Sequence, residues 1–152
     1  MKTYSGKKGE GMPVVRNPQF YFKEGFCWNN VLMPTKEESM FIKARIKGIS
    51  VNDVASMSMY SLFTQTPNYY FVSLLGSKWL YDYLKTFINN TVNLQINDFR
   101  LFPIIIPNKE QLNDVYSLFH AAYENKANNG SAKELSVIER EIDSMIEQLY
   151  TI

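Results

Sequence analysis

The sequence predicts an α+β domain in which a mixed, β-rich front, a central helical layer and a C-terminal antiparallel helix hairpin follow one another along the chain. Three observations lead there. Aromatic and β-branched residues dominate the first third, apolar residues recur at three- and four-residue steps between residues 70 and 87, and two long amphipathic stretches close the chain.

Residues 1 to 18 hold Gly6, Gly9, Gly11, Pro13 and Pro18 with Lys7, Lys8 and Arg16 among them, which reads as a loop or extended arm. From Phe20 to Met33 the pattern suits a β-hairpin turning at Glu24-Gly25. Met40 to Ile46 alternates Phe41, Lys43 and Arg45 with Ile42, Ala44 and Ile46, the two-residue period of a half-buried strand with one cationic face. Val51 to Thr66 supports only short strands or turns.

After Pro67, Tyr70, Phe71, Leu74 and Leu75 predict a first helix, Gly76-Ser77 a break, and Trp79 to Phe87 a second helix ended by Asn89-Asn90. Ile104 to Ile106, bracketed by Pro103 and Pro107, reads as one buried strand. Glu110 to Lys126 and the stretch carrying Leu135, Ile138, Ile142, Met145 and Leu149 predict two helices folded back at Asn128-Asn129-Gly130. The expected division is residues 1–107 as the binding domain and 108–152 as a helical hairpin or spacer.

At 152 residues and 45% apolar content the chain has material for one core. No run approaches the roughly 20 apolar residues of a membrane-spanning helix, and the polar start lacks a signal-peptide centre, so the expected location is cytoplasmic. The net charge of +1 hides a gradient: Lys plus Arg against Asp plus Glu is 9 to 4 over residues 1–50, 3 to 3 over 51–100 and 4 to 8 over 101–152. A polyanionic partner would meet the front.

Candidates for catalysis are scarce. His120, the single histidine, falls inside a tail helix with no nucleophile or acid spaced to work with it. The glycines of the opening have no preceding strand or following helix to make a phosphate cradle. Cys27 has no second cysteine and no histidine at metal-ligand spacing, and reads as a small buried side chain. Glu134, Glu139, Glu141, Asp143 and Glu147 read as the solvated face of the tail. No catalytic, metal or cofactor site is expected on this chain.

One stretch carries more. Val92-Asn93-Leu94-Gln95-Ile96-Asn97-Asp98-Phe99, then Leu101-Phe102-Pro103-Ile104-Ile105-Ile106-Pro107 and Lys109-Glu110-Gln111, resembles the closing motif of target-recognition domains in restriction-modification systems. Leu74-Leu75-Gly76-Ser77-Lys78 resembles the helix that precedes that motif, with Gly76 where the family usually has Asn. Leu135, Ile138-Glu139, Glu141-Ile142-Asp143 and Leu149-Tyr150 resemble its terminal helix, with Thr151 where a glycine is common. Tyr21-Phe22-Lys23-Glu24-Gly25 followed by Trp28 resembles the start of the recognition domain in large, TaqI-like adenine methyltransferases and phage-defence enzymes.

The resemblance spans most of residues 16 to 150. It implies a domain that reads double-stranded DNA beside a methyltransferase catalytic domain or subunit, which flips out and methylates an adenine. Neither the Asn/Asp-Pro-Pro-aromatic motif nor the S-adenosylmethionine motif occurs here, Asn17-Pro18-Gln19-Phe20 lacking the second proline. The chain is thus expected to be the DNA-reading fragment of a larger enzyme, with S-adenosylmethionine bound by the missing catalytic part.

The family supplies no invariant base-reading residues. The candidate DNA contacts therefore follow from chemistry: Lys7, Lys8, Arg16, Lys23, Lys43, Arg45 and Lys47 for phosphates or bases, and Asn17, Tyr21 and Asn68 for groove edges. Two alternatives stand beside this. One is half of a separate type I specificity subunit with the tail helices as spacer. The other is a helical protein-interaction module without DNA affinity.

Overall fold

A computed structural model describes residues 17–32, 42–51, 56–60 and 65–151. The arm before residue 17, with Lys7, Lys8 and Arg16, and the start of the expected strand at Met40 and Phe41 lie outside the described residues. The fold is a small α+β arrangement of three layers. A three-stranded antiparallel sheet forms one side, a helix pair the middle, and the tail hairpin the other side.

The sheet comprises β1 (Gly25–Asn29), β2 (Ala44–Lys47) and β3 (Ser56–Met59), in the order β2-β1-β3. β1 is central because it can be buried on both faces. Phe26 and Trp28 point into the core, with Ala44, Met57 and Met59 beside them, while Cys27 looks the other way between Arg45 and Ser58. Gly25 is required by a close approach rather than by a turn, since a Cβ there would sit 2.3 Å from the Met59 carbonyl oxygen.

This corrects the expected Phe20–Met33 hairpin. Both partners of β1 lie later in the chain, and Pro18–Phe20 forms a single 3-10 turn instead.

The middle layer is α1 (Asn68–Leu75) and α2 (Lys78–Tyr83), with a wider π-type turn over Leu84–Ile88. α1 has no side-chain cap at its start and is held by burial of Tyr70, Phe71, Leu74 and Leu75. Each such side chain contributes about 1.5–3 kcal/mol. Ser77 separates the two helices by a local device: its hydroxyl accepts from the Leu80 amide at 3.2 Å and donates to the Leu74 carbonyl at 2.8 Å.

The tail forms α4 (Lys109–Ala127) and α5 (Ala132–Tyr150) as expected, after a short α3 (Ile96–Phe99). Asn108 and Gln111 make a reciprocal capping box at the start of α4, both bonds 2.9 Å. The hairpin turns through Asn129, whose φ is 52°, and Gly130, where a Cβ would meet the Asn125 side chain at 2.5 Å. α4 and α5 both pack on α1, and Val115 and Ile146 belong to one core with Phe26, Trp28 and Leu74.

The expected strand at Ile104–Ile106 is not formed. Residues 103–108 are irregular, and Ile106 is 62% exposed. Two tyrosines hold the segment in place of a neighbouring strand. The Tyr70 hydroxyl donates to the Ile105 carbonyl at 2.7 Å, while the Tyr150 hydroxyl donates to the Pro103 carbonyl at 2.8 Å and accepts from the Ile105 amide at 3.2 Å.

Candidate nucleic-acid interface

The side of the sheet away from the core is where the candidate cations meet. Strand alternation sets Lys43, Arg45 and Lys47 on the same side as Cys27, opposite Phe26 and Trp28. Lys43 and Arg45 are exposed there, and the Arg45 Nε donates to the Cys27 Sγ at 3.3 Å. A concavity of about 250 Å³ opens beside Arg45, lined by Cys27, Arg45, Lys47, Gly48, Ser50 and Ser56 among others, with no carboxylate among the described lining residues. An exposed guanidinium at the edge of a hollow can donate two parallel bonds to a phosphate.

Lys47 requires a correction. It is only 4% exposed, and its ammonium donates to the carbonyls of Lys23 at 2.7 Å, Gly48 at 3.1 Å and Ser50 at 2.7 Å. Three backbone acceptors exhaust its three protons, so Lys47 is not presented to a phosphate. Its work is to fasten the residue 22–24 turn to the 48–50 turn.

Above the same junction aromatic rings and ammonium groups alternate. Phe20 and Tyr60 stack at 5.2 Å, with the Lys23 Nζ 5.8 Å from the Phe20 centroid and the Lys47 Nζ 5.5 Å from that of Tyr60. Lys23 is exposed and Tyr21 half-buried in this region, and exposed Asn17, with φ 51°, leads into the 3-10 turn.

Asn68 is not brought to this face. It opens α1, which packs on the apolar side of the sheet through the Phe26–Phe71 stack at 5.0 Å.

Two large apolar residues are exposed here, Phe22 at 65% and Ile49 at 70%; the sequence marks Phe22 only as part of the aromatic opening motif and gives no sign of Ile49. Phe22 has φ 58° and donates its amide to the Ser50 carbonyl at 3.3 Å. A left-handed conformation is normally signalled by glycine or asparagine, so a phenylalanine there gives no warning.

Away from this face, the motif of residues 92–99 has structural duties. Leu32 and Leu94 exchange backbone bonds with their opposite segments, Leu32 N to Val92 O at 2.7 Å and Leu94 N to Asn30 O at 2.8 Å. The Asp98 carboxylate accepts from the Gln95 amide at 2.8 Å and the Asn89 side chain at 2.9 Å.

The tail carboxylates are not uniformly solvated either: Asp143 is half-buried and accepts from the Lys78 amide at 2.6 Å, capping α2. His120 is exposed on α4 between Tyr116 and Tyr123, both exposed too.

Among the described residues no group of three or more His, Cys, Asp or Glu side chains gathers as a metal site would require, and no helix is long and apolar enough to cross a membrane. No family model matches the chain, and no curated protein matches it.

Proposed function

We propose that the chain is a DNA target-recognition module of a bacterial restriction-modification adenine methyltransferase, with catalysis and S-adenosylmethionine belonging to a catalytic partner domain or subunit. The observation that carries this reading is the outer sheet face, which presents exposed Lys43 and Arg45, the latter lining a hollow with no carboxylate among its described lining residues. Lys23 extends the same basic surface. DNA affinity built this way is electrostatic and salt-dependent. The sequence likeness of residues 92–111 to the closing motif of recognition domains supplies the enzymatic context.

The opposite side suits the partner. Tyr116, His120 and Tyr123 recur at four- and three-residue steps on α4, giving an exposed aromatic stripe. That stripe also favours the second reading, a helical interaction module that does not bind DNA.

Fluorescence anisotropy with labelled duplex DNA across a salt series separates the two. The DNA reading expects the logarithm of the binding constant to fall linearly with the logarithm of salt concentration, by about 0.9 per phosphate contact. No binding at about 50 mM salt, where non-specific contacts are strong, overturns it and leaves the interaction module.

A further inference from the structure

Phe22 combines two properties that stability alone does not select. Its φ of 58° puts a bulky L-residue in the left-handed region, at a cost of about 1–2 kcal/mol. Its side chain recovers little of that by burial, being on a residue 65% exposed.

The conformation is imposed from outside. The Phe22 amide donates to the Ser50 carbonyl, and that carbonyl and the one of Lys23 also accept from the buried Lys47 ammonium, both at 2.7 Å. One cation therefore locks two turns together, and each turn displays a large exposed apolar residue, Phe22 on the first and Ile49 on the second.

The surroundings say what such a pair meets. Exposed Lys23 follows Phe22 directly, and the hollow reaching Ser50 and Val51 is bordered by exposed Arg45, with no acid lining it among the described residues; Glu24 and Asp53 are the acidic neighbours in sequence. Cations beside a rigid apolar projection match a duplex, in which phosphates border the groove and the base steps within it are apolar. Because folding has already fixed the projection, little ordering remains to be done on contact.

We infer that Phe22, backed by Ile49, is a wedge that enters and unstacks a base step of duplex DNA. The inference rests on the DNA-binding reading above and adds the kind of contact and its consequence: a local kink, favoured at flexible pyrimidine–purine steps.

The test uses the full chain and a duplex carrying 2-aminopurine beside a central TA step, at about 50 mM salt. Wild-type binding raises 2-aminopurine fluorescence. Phe22→Ala abolishes the rise and weakens binding about tenfold with an unchanged salt slope, since no phosphate contact is lost. Phe22→Leu keeps an apolar wedge and most of the rise. Phe22→Gly relieves the backbone, raises the unfolding temperature and still loses the rise, which separates the wedge from any folding defect.

Wild-type binding without a fluorescence rise, or a rise that survives Phe22→Ala, overturns the wedge and leaves DNA binding standing. Failure to bind the duplex at all removes the DNA reading and the wedge together.

Discussion

The Trp28 indole N–H donates to the Leu94 carbonyl oxygen at 3.2 Å, joining the central strand to the loop before α3 across 66 residues of sequence. The same ring stacks on Phe99 at 5.1 Å. Trp28→Phe keeps an aromatic face but leaves a buried carbonyl without its donor, a loss of about 1–3 kcal/mol. Urea unfolding is expected to show a lower midpoint at an unchanged slope. An unchanged midpoint would show that the bond contributes nothing.

Lys47 and Arg45 are two residues apart on β2, and the structure buries the first while exposing the second. Lys47→Met keeps the stem and deprives three carbonyls of their donor, so stability is expected to fall by about 1.5–3 kcal/mol. The salt slope of DNA binding stays as it was while the variant remains folded. Arg45→Ala is expected to lower that slope by about 0.9 and to change stability by no more than about 0.5 kcal/mol. Paired unfolding and salt titrations check both, and an exchange of the two effects would refute the assignment.

Burial pushes the Tyr70 hydroxyl far above the ordinary tyrosine range, and neighbouring Tyr150 pushes it further; burial raises Tyr150 as well. The folded state therefore retains these protons where the unfolded chain, titrating near about pH 10, releases them. Their contribution to stability is complete below about pH 10 and declines as pH rises beyond it. Phenolate absorbance should show Tyr70 ionising only together with unfolding, and Tyr150 ionising above the ordinary tyrosine range. Independent ionisation of all the tyrosines in the native state would contradict the buried pair.

Asp143 caps α2 from the other side of the interface with α5. Asp143→Ala is expected to cost about 0.5–2 kcal/mol, seen as a lower thermal midpoint, whereas Asp143→Asn keeps an acceptor and most of the stability. Glu147→Ala provides the control, because Glu147 is exposed and makes no cap.

The helices were legible because their signals are local. Gly76-Ser77, the Asn108–Gln111 box and the Asn129-Gly130 turn each set a boundary through bonds made within a few residues. The sheet was less so, since strand partners are chosen across long separations. Gly25 looks like a turn residue, and only the proximity of Met59 reveals why glycine is needed.

Ile104–Ile106 is apolar enough for a strand, but the Ile105 carbonyl is taken by Tyr70 and its amide by Tyr150, which no local pattern announces. The site divides the same way. The alternation of Lys43, Arg45 and Lys47 gave the cationic side, whereas the carbonyl cage that withdraws Lys47 and the left-handed backbone at Phe22 arise only from the meeting of two turns.

Val115 and Ile146, from the two tail helices, are packed in the same interior as the sheet's Phe26 and Trp28. An engineer wishing to transplant the cationic sheet onto a foreign helical scaffold could not cut at residue 107, because the graft would leave behind the undersurface on which it sets. Substitutions at the exposed 22–24 and 48–50 turns are the safer route, because those side chains can change while the shared interior stays intact.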